Sequence, residues 1–115
     1  MTLIFVYSAD SGSINTIMDV GHKLFSPKTY PCSLCALTYD TFTEKKAWKS
    51  FRKQSTTDMK FYHKNEFESI YPNTKFTYPV ILRKNDLNFT EVLSHKDLDN
   101  IEDVNVLIEK LVNHL

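Results

Sequence analysis

The chain has 115 residues, 42% of them hydrophobic and 24% charged, and its 14 Lys and Arg balance 14 Asp and Glu. That is room for one domain with one core, without the composition of a disordered or fibrous chain. Zero net charge gives no global attraction to nucleic acid or membrane, two glycines are too few for the Gly-rich nucleotide folds, and two cysteines exclude a disulfide-rich secreted scaffold.

Leu3 to Tyr7 is a continuous apolar run that suits a strand covered on both faces. No basic stretch precedes it, and no small-residue cleavage site follows, so it reads as a first strand and not as a signal peptide. No apolar run approaches the roughly 20 residues that span a bilayer. From Ile14, apolar positions recur at Ile17, Met18, Leu24 and Phe25, the spacing of an amphipathic helix that Pro27 stops. Cys35 to Tyr39 is short and apolar and is expected to be the second strand. Thr41-Phe42-Thr43-Glu44 matches a capping box and opens a helix carrying Ala47, Trp48 and Phe51 inward.

Met59 to His63 is expected as the third strand, and Asn65 as the cap of a short helix, Glu66 to Tyr71, ended by Pro72. Tyr78 to Arg83 opens at a proline, where a strand tolerates one best. Asn85-Asp86 marks a turn, with Phe89 to Leu93 as the hairpin partner. Ile101, Val104, Leu107, Ile108, Leu111 and Leu115 describe a last amphipathic helix. The expectation is a single α/β domain over residues 1–115, in the order βαβαβαββα, with a mixed sheet flanked by helices. Its core should contain Ile4, Val6, Ile17, Leu37, Trp48, Phe61, Val80, Leu82, Leu107 and Leu111.

This succession, with Tyr78-Pro79 opening a strand, resembles the thioredoxin-like fold. The resemblance implies that the peptide bond before Pro79 is cis and that Pro79 lies beside the active site. Tyr7-Ser8-Ala9-Asp10-Ser11-Gly12, His22-Lys23 and Thr29-Tyr30-Pro31-Cys32-Ser33-Leu34-Cys35-Ala36-Leu37-Thr38 are similar to a group of small bacterial proteins sometimes labelled GTPases. A P-loop needs glycines and a Lys-Ser/Thr pair to wrap backbone amides around phosphates, and this chain has no such string.

Cys32-Ser33-Leu34-Cys35 is the sharpest chemical signal. Two thiols at this spacing can close a disulfide or share a metal. Thioredoxin-like proteins carry such a pair at the start of a helix. Here Cys35 runs into an apparent strand, which puts the pair in the preceding loop, at the opposite end of the sheet from Pro79. Three uses stay open. In a redox pair, Cys32, nearer the exposed loop, attacks and Cys35 resolves, with His22 or Lys28 stabilising the thiolate and a protein thiol as partner. In a metal module, His22, Cys32, Cys35 and Asp19 hold zinc or iron. In the third, the thiols are inert and buried. The redox reading needs no cofactor and fits a cytoplasmic protein.

A second candidate site gathers at the carboxyl ends of the strands, where open α/β sheets favour ligands. Ser8, Asp10, Ser11, Asp40, Thr41, His63, Glu66, Tyr78 and Pro79 are expected there. His63 with Glu66 or Asp10 would make an acid–base pair, and the bland reading of the Ser, Asp and Thr residues is helix capping. Charge is segregated: Thr41 to Lys64 holds seven basic residues against two acidic, and Asn85 to Leu115 the reverse. Such a dipolar surface could steer an anionic partner to the middle segment, the blander reading being two solvated helix faces, and a lone basic helix with one Trp is thin evidence for nucleic acid.

Overall fold

A computed structural model describes residues 1–8, 32–39 and 43–115. The expected helix over Ile14 to Phe25 lies outside the described residues, as do the core position Ile17, the capping residue Thr41 and the candidate site residues Asp10, Ser11, Asp19, His22, Lys28 and Asp40.

The apolar run near the N-terminus forms β1, Thr2–Tyr7, at the centre of the sheet. It pairs in parallel with β2, Asp58–His63, with Leu3 beside Met59, Phe5 beside Phe61 and Tyr7 beside His63. On its other side it pairs antiparallel with β3, Val80–Asn85, so that Val6 meets Val80 and Leu3 meets Arg83. A hairpin continues from β3 into β4, Asn88–Leu93, giving the strand order β2-β1-β3-β4. Asp86 in the hairpin turn has φ 54°, a left-handed conformation that Asp tolerates better than most residues. The Tyr78-Pro79 peptide bond is cis.

Strand alternation sends the two sets of side chains into two different layers. Leu3, Phe5, Tyr7, Ile81 and Leu93 join one apolar cluster with residues of the helices α1, Ser33–Thr38, α2, Lys46–Gln54, α4, His95–Asp99, and α5, Val104–Val112. Helix α2 contributes Trp48, edge-on to Phe5 at 5.6 Å, while Phe61 stacks on Phe5 at 4.7 Å. Helix α5 buries Val104, Leu107 and Leu111, one stripe at helical spacing. Ile4, Val6, Val80 and Leu82 face the other way, toward α3, Lys64–Ile70, whose one buried residue is Phe67.

The result is a small α/β domain with a four-stranded mixed sheet. Its described order, β1-α1-α2-β2-α3-β3-β4-α4-α5, differs from expectation. The main correction is that Cys35 to Tyr39 belongs to a helix, α1, and not to a strand. Leu34, Cys35, Leu37 and Thr38 are its buried positions, the i, i+1, i+3, i+4 set of a helical face. Leu and Ala favour the helix, and the Thr38 hydroxyl donates back to the Leu34 carbonyl at 2.9 Å. Two caps also differ. Helix α2 starts after Lys45, with Glu44 paired to Arg52 and bridged to Tyr39 instead of closing a capping box. Helix α3 is capped by His63, two residues before Asn65.

Helix α4 has no counterpart in the expected order, although Ser94 and Asp97 form the reciprocal cap that marks its start, at 2.9 and 3.2 Å. Of the expected core, Ile4, Val6, Leu37, Trp48, Val80, Leu82, Leu107 and Leu111 are buried, and Phe61 is half-buried against them. Among the described residues, no helix is long and apolar enough to cross a membrane.

Candidate functional site: the Cys32–Cys35 pair and the Pro79 end of the sheet

Cys32 stands at the N-cap position of α1 in an extended conformation, φ −115° and ψ 92°. Its carbonyl accepts the first helical bond, from the Ala36 N–H at 3.1 Å, and its sulfur accepts the Cys35 N–H at 3.2 Å. The sulfur thus does what a serine or aspartate oxygen does at an ordinary N-cap, satisfying a donor that has no partner inside the helix. The turn brings the two Cα atoms to 5.3 Å, and Cys32 and Cys35 are joined by a disulfide. No acidic residue lies in the first turn of α1 to oppose negative charge on that sulfur.

Both cysteines belong to the apolar cluster around Leu3, Phe5, Tyr7 and Trp48, with 0% exposure for Cys32 and 1% for Cys35. This corrects the expectation that Cys32 is the more accessible of the two: exposure does not distinguish them, and hydrogen bonding does. Two polar atoms in this region, Ser33 Oγ and Trp48 Nε1, are buried without a hydrogen-bond partner.

The position of α1 is also corrected. Tyr7 ends β1, and Thr38 of α1 shares a hydrogen bond with its hydroxyl. Helix α1 also packs on α4, which follows β4 at the same sheet end, because Leu93 is level with Ile81 and Val80 with Val6. The helix that carries the cysteines is therefore anchored at the Pro79 end of the sheet, not the opposite one.

Tyr7, Tyr39, Glu44 and Arg52 form a compact polar group beside α1. Arg52 donates through Nε and Nη2 to the two oxygens of Glu44, at 3.0 and 2.8 Å. Burial pushes the Tyr7 hydroxyl far above the ordinary phenol value, with Tyr39 adding to the effect and the Thr38 hydrogen bond opposing it. Tyr39 is raised by burial and then by Glu44, and Arg52 is held more firmly protonated by its bond to Glu44. The grouping itself is not legible in the sequence, where Glu44 reads as half of a capping box and Tyr7 as the end of a strand, since eight positions separate Glu44 from Arg52 and Tyr7 precedes both by more than thirty.

Of the second candidate set, His63 and Glu66 do come together. The Glu66 carboxylate accepts the His63 backbone N–H at 2.8 Å and meets its Nδ1 at 2.7 Å, while the His63 ring lies 6.0 Å from that of Tyr7. This is the reciprocal cap of α3, and a carboxylate on Nδ1 is also the arrangement that orients the ring of an acid–base histidine. The backbone N–H first, and the imidazole second, hold the Glu66 carboxyl below its ordinary value of 4.5. A depressed folded value makes the contribution to stability complete above that ordinary carboxylate value and progressively lost as pH falls through the folded one. Glu66→Gln should therefore lower the urea midpoint at neutral pH and abolish this part of the acid sensitivity, which denaturation curves between about pH 3 and 7 would read.

Tyr78 reaches Glu68 at 3.4 Å, its hydroxyl pushed up to about 12 by burial and by that carboxylate, and Pro79 itself is buried. Among the described residues, no group of three or more His, Cys, Asp or Glu is placed to hold a metal ion. Comparison of the chain with protein-family models, with curated proteins and with solved structures finds no match.

Proposed function

We propose that the protein is a thiol–disulfide exchange protein of thioredoxin-like architecture, in which Cys32 and Cys35 alternate between dithiol and disulfide against a protein thiol partner. The observation that carries this reading is the closed Cys32–Cys35 bridge at a helix start, with Cys32 Sγ accepting the Cys35 N–H. After reduction, that N–H remains in place to solvate a Cys32 thiolate. The architecture is supported by the order β2-β1-β3-β4, with its parallel central pair, its antiparallel hairpin and the cysteine helix anchored near Pro79.

The exchange balances without a cofactor. The Cys32 thiolate attacks a partner disulfide, one partner thiolate leaves, and a mixed disulfide forms on Cys32. The Cys35 thiolate then attacks Cys32 Sγ and expels the second partner thiolate, so two electrons pass to the partner and the intramolecular bridge closes. Since both sulfurs are buried, attack requires the side chains packed over Cys32 to move aside locally while the first turn of α1 keeps its N–H on the sulfur.

The burial of the pair also favours a second reading, a structural staple. As a staple it is weak, because so short a loop recovers only about 2 kcal/mol of chain entropy, against about 3 for a 15-residue loop. Equilibration in glutathione buffers, acid quenching, alkylation and mass measurement separate the two. An exchange pair shows a midpoint between roughly −300 and −120 mV, the span from structural disulfides to strong oxidants. A pair that stays oxidised, or stays reduced, across that whole range overturns the proposal. Trp48, the one tryptophan, shares the apolar cluster with the bridge, and its fluorescence gives an independent signal of the same transition.

A further inference from the structure

The two arginines of the described residues present the same edge of the guanidinium in different states. Arg52 uses Nε and Nη2 together, each donating to one oxygen of Glu44, at 3.0 and 2.8 Å. This is the side-on fork in which a planar guanidinium matches a planar carboxylate. Arg83 offers that edge at the opposite end of the sheet from Pro79, on β3 beside Leu3. Its Nη2 donates to Nδ1 of His114, which follows α5, at 3.2 Å. Its Nε is buried and has no acceptor. The ion pairs among the described residues are Arg52–Glu44 and His63–Glu66, so no carboxylate there neutralises Arg83.

A buried guanidinium N–H without an acceptor is costly, since charged donors lose more on desolvation than neutral ones. The imidazole is a poor substitute for a carboxylate: it offers one lone pair to a fork built for two, and it brings no negative charge. Lys84, the neighbouring residue on β3, alternates to the other face of the sheet, so its charge does not sit at the Arg83 edge.

We propose that the Nε–Nη2 edge of Arg83 is a binding site for a small carboxylate ligand, and that His114 occupies half of it as a displaceable placeholder. One carboxylate oxygen accepts from Nε and the other from Nη2, as Glu44 does on Arg52, and the His114 ring swings away. The site lies apart from the Cys32–Cys35 pair and does not rest on the exchange reading.

Acetate is the probe, titrated into the full 15N-labelled chain at constant ionic strength with chloride as the balancing anion. The Arg83 Nε–H signal, identified by its loss in Arg83→Lys, should move along a saturating curve with a midpoint of roughly 1–10 mM. The His114 ring signals should follow the same curve. Arg83→Lys keeps the charge but loses the fork, and its His114 signals should show at least about tenfold weaker binding. A response linear in acetate, or a Lys variant that titrates like the natural chain, overturns the proposal. Should the Lys variant not fold, His114→Ala serves in its place: freeing Nη2, it should bind acetate as tightly or more tightly. Weaker binding in that variant overturns the placeholder role.

Discussion

Replacing Cys35 with serine is expected to turn a transient exchange into a stable adduct. Cys32 would still attack glutathione disulfide, releasing one glutathione thiolate and keeping the other half as a mixed disulfide. With no second thiol to resolve it, the adduct persists, and mass spectrometry reads one added glutathione per chain. Cys32→Ser leaves Cys35, whose sulfur accepts no N–H among the described residues comparable to the one that reaches Cys32. An unactivated thiol is only a few per cent thiolate near neutral pH, so this variant should form its adduct at least about tenfold more slowly. Equal rates for the two variants would remove the distinction between attacking and resolving cysteine. Adducts that form only in denaturant would identify the bridge as a staple. The contrast is informative because the bridge itself gives both cysteines the same burial and the same bond.

The parts of this fold that could be read from sequence are those whose signal is local and unambiguous. An unbroken apolar run has to lie between two covered faces, and β1 does. The stripe Val104, Leu107, Leu111 specifies one face of a helix, and the Asn85-Asp86 turn joins two strands in register. Helix α1 failed on the same criterion, because six residues with four buried positions satisfy a buried strand as well as a helix. What decides it is the sulfur of Cys32 acting as a cap, and cysteine is not among the residue types that usually signal one. That one misreading displaced the candidate site, since a CxxC before a strand belongs at one end of the sheet and a CxxC opening a helix at the other. His63 and Glu66 were recognisable as neighbours, yet their pairing serves α3. The Arg52–Glu44 fork and the unfilled edge of Arg83 depend on tertiary contacts and left no mark on local spacing.

Phe67→Ala should be among the most damaging single substitutions in the described chain. Phe67 is the one buried residue of α3 and is wholly inaccessible. Five aromatic rings surround it: Tyr71 at 5.1 Å, Phe89 at 5.8 Å, Tyr62 at 6.1 Å, Phe76 at 6.2 Å and Tyr78 at 6.4 Å. Those rings come from β2, the C-cap of α3, β4 and the segment before β3, so the side chain sits at the centre of an aromatic layer that joins these elements on that face. Truncating it loses the transfer energy of the ring and leaves a hole that five rigid rings cannot easily fill, a cost of about 3–5 kcal/mol. Against a typical domain stability of about 5–15 kcal/mol, that removes a large share of the total. Urea denaturation should show a much lower midpoint with a similar slope. Phe67 lies on the opposite face of the sheet from the cysteines, so the glutathione midpoint of the folded variant should stay where it was. A loss below about 1 kcal/mol, the ordinary cost of an undistinguished substitution, would mean that the aromatic ring around Phe67 repacks and that this layer does not depend on a single anchor.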